Sequence, residues 1–174
     1  SAASDVYKRQ MFDDRVKRLK ERSPGKLIIK EYPTASAHSG HFKSLLNELA
    51  LKKSFRPDVL FIDYLNICAS SRFKGGNISS YFYIKAIAEE LRGLAVEFKL
   101  PIFTATQTTR SGYTSTDIGL EDTSESFGLP ATADFMFALM TNEELDSLNQ
   151  MKVKQLKNRY SDPAINRSFI IGVD

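Results

Sequence analysis

The sequence predicts an α/β fold built on a mainly parallel sheet flanked by helices. Short apolar runs alternate with amphipathic helical stretches along the chain. One run, 59–62, is apolar without a break between Pro57 and Asp63–Tyr64, as a strand covered on both faces would be. The last two strand candidates have no helix between them, which predicts a β-hairpin at the C-terminal edge. With 174 residues, 42% hydrophobic and 26% charged, the chain is one domain in size and composition.

The first ten residues, SAASDVYKRQ, show no period. They are set aside as a non-native or disordered leader, and the fold is read over 11–174. From Met11, the residues Phe12, Val16 and Leu19 share one helical face, and Ser23-Pro24-Gly25 ends that helix. Leu27 to Lys30 reads as a short buried strand, and 33–40 as a loop of small residues. Phe42, Leu45, Leu46 and Leu49 then mark the apolar stripe of a second helix. After strand 59–62 comes a polar loop, 66–80. A long amphipathic helix follows, carrying Ile84, Ile87, Ala88, Leu91, Leu94, Ala95 and Phe98, and Pro101 breaks it. Ile102 to Thr106 is the next buried strand, ending at Gln107, and 108–121 is a second polar loop. Asp122 and Glu125 have N-cap and N3 spacing for a short helix that Gly128 and Pro130 would stop. Phe135 to Met140 is a strand, and Thr141 with Glu144 predicts a capping box. Val153 to Lys157 and Phe169 to Val173 close the chain as the expected hairpin.

Composition excludes several classes. A single cysteine, Cys68, excludes an internal disulfide framework and a cysteine-only metal site, and fits a reducing cytoplasm. No apolar run approaches the ~18 residues of a membrane helix, so no membrane partner is expected. The net charge of +3 is compatible with nucleic acid but too mild to argue for it.

Asp63 stands out among the polar residues because it ends a buried apolar strand, the edge where open α/β sheets bind ligands. A carboxylate there can hold Mg²⁺ on nucleotide phosphates, or simply cap the following turn. Gln107 holds the equivalent place on the next strand and could sense a phosphate or position water; alone it reads more readily as a turn residue. Each is followed by a polar loop longer than about 12 residues, and such loops usually carry function. The loops contain Arg72, Lys74 and Arg110, which suit contacts to a single-stranded phosphate backbone, or an ordinary solvated surface. Lys157 and Arg159, two apart on a strand, point to one face and could clamp a phosphate in their own subunit or a neighbour's. Alternatively they are charges on a solvated edge.

His38 and His41 have no Cys or carboxylate near them in sequence, which argues against a metal site. Gly25–Lys26 is not a phosphate loop, because Leu27 stands where Ser or Thr is needed. Cys68 has no obvious base beside it, and nothing indicates secretion that would make Asn77-Ile78-Ser79 a glycosylation site.

At YPTASAHSGHFKSLLNELALKK, IDYLNICAS, YIKAIAEELRGLAVE, ESFGLPATADFM and KQLKNRY the chain resembles the C-terminal part of the RecA-like motor domain of DnaB-type replicative helicases, most like those of large tailed phages. The resemblance runs from about Met11 to Asp174. It implies a RecA-like sheet truncated at its N-terminal side, lacking the GxxxxGK[ST] loop and the water-activating glutamate, which the family carries upstream. Asp63 resembles the Walker B aspartate that holds Mg²⁺. Gln107 resembles the glutamine coupling nucleotide state to DNA loops. The segments after Asp63 and Gln107, and a third around Glu144 to Met151, resemble loops lining a central channel. Lys157 and Arg159 resemble the Lys-x-Arg pair reaching the neighbouring subunit's ATP, with Arg159 the arginine finger. The family often has Asn-Gly after this arginine; here Tyr160-Ser161-Asp162-Pro163 follows.

The resemblance implies ATP and Mg²⁺ as cofactors, single-stranded DNA as track, a hexameric ring in the full-length protein, a primase as partner, and a bacterial or phage-infected cytoplasm. By itself the chain is expected to be inactive. The residues leave open a RecA-type recombinase or regulatory ATPase, a non-catalytic single-strand-binding module, and a metal-dependent nuclease pairing Asp63 with Glu125 or Asp134.

Overall fold

The computed structural model describes residues 2–73, 78–108, 119 and 128–173. The chain divides into two units between Tyr32 and Pro33. The first holds α1 (Ala2–Arg22), which runs through the first ten residues as well as the predicted stripe. Phe12, Val16 and Leu19 are exposed. The strand expected at 27–30 does not form. Leu27 and Ile29 are 81% and 83% exposed, and no strand pairs with the segment among the described residues. An apolar run becomes a strand only where a neighbour completes its backbone hydrogen bonds.

The second unit contains, in order, α2 (Ser39–Lys53), β1 (Leu60–Ile62), a 3-10 turn (Leu65–Ile67), α3 (Ser80–Phe98), β2 (Ile102–Thr104), α4 (Gly128–Thr132), β3 (Phe135–Met140), α5 (Glu143–Ser147), β4 (Gln150–Asn158) and β5 (Ser168–Gly172). β1 and β2 pair in parallel, from Leu60 opposite Ile102 to Ile62 opposite Thr104. β3, β4 and β5 form an antiparallel sheet in that order. The C-terminal hairpin is therefore present, with β3 added on the far side of β4.

α3 organises the core. Its Ile84, Ile87, Leu91 and Leu94 are buried, as their spacing predicts, and the helix packs on α2, the 3-10 turn, β2 and α4. It ends at Phe98 because Lys99 turns left-handed, its N–H capping Ala95 O and Val96 O, with Pro101 just beyond. α2 buries Phe42, Leu46 and Leu49.

Coverage of β1 on both faces is not observed. Ile62 is buried, but Phe61 is 69% exposed and stacks on the 56% exposed Phe103 opposite it, with ring centroids 5.3 Å apart. Adjacent residues on a strand face opposite ways, so only the face carrying Ile62 meets the core.

Two helix limits also differ from the sequence reading. Asp122 and Glu125 lie outside the described residues. α4 runs through Gly128 and Pro130 instead of stopping there. Proline fits a helix's first turn, where its missing N–H is not needed. The N-cap of α5 is Asn142 and not Thr141, its side chain accepting from Leu145 N at 2.8 Å. Thr141 Oγ1 instead donates to Asp146 Oδ1.

Candidate functional site

Parallel pairing of β1 and β2 carries Asp63 and Gln107 to one carboxyl edge. Side chains and backbone lace the two strand ends together. Thr104 Oγ1 donates to Ile62 O at 2.9 Å, Leu65 N to Ala105 O at 3.1 Å, and Thr106 Oγ1 to Asn66 Oδ1 at 2.7 Å. Gln107 Nε2 donates to Tyr64 Oη at 3.3 Å, placing its amide over the residue after Asp63. The Asp63–Tyr64 peptide is cis.

Asp63 is exposed. A carboxylate in that position is the hard oxygen donor that Mg²⁺ takes, commonly with water and phosphate oxygens as its other ligands. Among the described residues no three His, Cys, Asp or Glu side chains gather into a protein-only metal cage.

The loop after β1 is fixed at its base by a residue the sequence reading passed over. Glu90, on α3, accepts from Ser39 Oγ at 2.9 Å, Ser70 Oγ at 2.6 Å, Ser71 Oγ at 2.7 Å and Ser71 N at 2.9 Å. Partial burial would raise its carboxyl, but hydrogen bonds from Ser70, Ser71 and Ser39 outweigh that and hold it at about 2. Arg72, at the rim of this anchor, pairs with Glu89 at 2.7 Å. Lys74 and Arg110 lie outside the described residues. No local sequence pattern marks Glu90, because its partners sit 18 to 51 positions away.

Lys157 and Arg159 stand together at the end of β4, facing α4. Lys157 Nζ donates to Pro130 O, and Arg159 Nη1 pairs with Asp134 Oδ1 at 2.8 Å. β4 is the central strand of its sheet, but its pairing with β5 stops at Lys154, so at Lys157 it pairs with β3 alone, and Arg159 follows the strand's last residue. Desolvation, then the charge of Arg159, pull the Lys157 ammonium below its usual range, while Asp134 opposes them. Arg92, on α3, shares the same Asp134 oxygen at 3.0 Å. Asp134 is thus engaged by two arginines, which disfavours its use as a metal partner of Asp63; Glu125 lies outside the described residues. The Glu144 to Met151 segment forms most of α5 and the start of β4.

His38 and His41 cap α2. His38 Nδ1 accepts from Gly40 N at 3.0 Å, and His41 Nδ1 from His38 N at 3.2 Å. Cys68 is buried, which raises its thiol, and its Sγ donates a weak 3.6 Å hydrogen bond to Tyr64 O.

Over 163 residues, 93% of the chain, the sequence is 45% identical to the DnaB-like replicative helicase of Enterobacteria phage T4, of which it spans 34%. The ATPase domain of G40P superposes with a TM-score of 0.63 at 20% identity, over 78% of this chain and 47% of that one. A DnaB-like replicative helicase, solved in a study of its interactions with primase, superposes with a TM-score of 0.65 at 20% identity, over 80% of this chain and 34% of that one. No family model matches the chain. The chain accordingly has the RecA-like fold of helicase ATPase domains and is related in sequence to the DnaB-like replicative helicases.

Proposed function

We propose that this chain, over 11–174, is the C-terminal part of the motor domain of an ATP-driven replicative helicase that moves on single-stranded DNA and unwinds duplex. The observation that carries the reading is 45% identity over 93% of the chain to a DnaB-like replicative helicase. The common edge holding Asp63 and Gln107 supports it. In this reading Asp63 is the protein's carboxylate toward Mg²⁺ on ATP. Mg²⁺ neutralises phosphate charge and fixes in-line geometry when bound. Gln107, hydrogen-bonded to Tyr64, connects the nucleotide edge to the two polar loops. Arg72, Lys74 and Arg110 supply cations toward the DNA backbone. Lys157 and Arg159 reach across to the neighbouring subunit's ATP in a hexameric ring.

A primase is the proposed partner, since one structural neighbour is a helicase described with primase. No described helix is long and apolar enough to cross a membrane, and we place the working protein in the cytoplasm of an infected bacterium. The chain by itself contains no GxxxxGK[ST]. It is expected to turn over no ATP above background, because that loop's backbone amides carry much of phosphate binding.

The deciding experiment uses the full-length protein. Asp63→Asn keeps size and polarity while removing the charge. Single-stranded-DNA-stimulated ATPase and strand separation should both fall by several orders of magnitude, with the circular dichroism spectrum unchanged. Near-wild-type turnover with an unaltered Mg²⁺ requirement would reduce Asp63 to a turn residue and remove the centre of the proposal.

A further inference from the structure

Three cations converge on the end of α4. Three consecutive carbonyls there each accept from a different one: Pro130 O from Lys157 Nζ, Ala131 O from Arg159 Nη2 at 3.4 Å, and Thr132 O from Arg92 Nη1 at 2.7 Å. A helix C-terminus leaves such carbonyls without intrahelical partners, and its dipole favours positive charge. One carboxylate sits among the cations. Asp134 Oδ1 takes Arg92 Nη1 at 3.0 Å and Arg159 Nη1 at 2.8 Å. The Arg159 backbone N–H also donates to Asp134 O, at 2.9 Å. Asp134 therefore grips Arg159 at both main chain and guanidinium.

The chemistry of this grip is specific. A guanidinium presents five N–H donors in a rigid plane, so fixing one part of it aims the rest. Arg159 spends donors on Asp134 and Ala131, and its side chain is still 42% exposed. Among the described residues, Arg92, Lys157 and Arg159 gather around the carboxylate of Asp134, a set of cations that a polyphosphate would complement.

We infer that Asp134, braced by Arg92, is a positioning residue that orients Arg159 so that its remaining N–H groups meet a phosphate of the adjoining subunit. The inference rests on Arg159 acting as the finger. It adds that a carboxylate in the finger's own subunit sets its aim, and that α3 supplies the brace. A small misplacement of a group that stabilises developing charge is enough to cost turnover while leaving substrate binding intact.

A double-mutant cycle on the full-length ring protein tests it, with ATPase read at saturating single-stranded DNA. Arg159→Ala alone lowers kcat by roughly 10³; if it does not, the finger reading itself is lost. With that drop established, Asp134→Ala should lower kcat about tenfold or more at little-changed KM for ATP. Added to Arg159→Ala, it should lower kcat no further. Asp134→Asn keeps an acceptor oxygen and the volume, is the variant to read if the alanine variant does not fold, and should give a smaller drop that also vanishes in the Arg159→Ala background. Wild-type kcat in folded Asp134 variants would overturn the positioning role. So would a loss that multiplies with that of Arg159→Ala, since it would mark Asp134 as a residue of the fold alone.

Discussion

At Glu90, hydroxyl and backbone donors from the start of α2 and from Ser70–Ser71 meet one carboxylate on α3. Its carboxyl lies at about 2 in the folded chain against an ordinary 4.5. A depressed carboxyl contributes stability above its unfolded value, and that contribution disappears as the pH falls from 4.5 toward 2. Thermal melts of the wild type and Glu90→Gln should therefore differ most above about pH 5 and converge toward pH 2. A gap in Tm that stays constant across this range would show that the charge of Glu90 is not what holds the loop. The contrast with Asp63 and Gln107 explains what was legible at the residue scale. The position of those two was visible because each follows a short strand-like run, and parallel pairing puts both strand ends at one edge. Glu90, Arg92 and the bond between Arg159 and Asp134 depend on partners far away in the chain, brought near only by folding.

α2 begins with an uncommon cap, two histidines doing what Ser and Glu usually do. Gly40 leaves room for it, since a Cβ there would come within 2.8 Å of His38 Cε1. His38→Ala removes the acceptor for Gly40 N and should lower stability by about 1 kcal/mol, read from the denaturation midpoint. In α3, Ile87 is 1% exposed. Ile87→Ala leaves a cavity under the whole unit and should cost about 2–5 kcal/mol in the same measurement. A cost below about 1 kcal/mol would mean that the site collapses around the smaller side chain. Elements with strong helical periodicity, such as α2 and α3, were readable because their burial follows directly from spacing. The run at 27–30 misled because its hydrophobicity was real while its pairing was not. The cap of α5 moved by one residue because Thr141 and Asn142 both offer a side-chain oxygen, and only geometry selects Asn142.

At the scale of the whole molecule, the proposed ring makes each ATP site from two chains. One full-length protein would carry Arg159→Ala and the other a disabled phosphate loop, each inactive alone. Mixed rings join some intact loops to intact fingers, so ATPase should partly return. Fingers acting within their own subunit would leave every mixture at background, a result that would remove the trans role once mixed rings were verified by mass. The parallel pair itself bears on handling the chain in isolation. Phe61 and Phe103 present two stacked rings to water. A flat aromatic step of this kind lowers solubility and promotes self-association as concentration rises. Replacing both with serine should raise the concentration at which the chain precipitates while moving Tm little, because side chains that are mostly wet contribute little to burial.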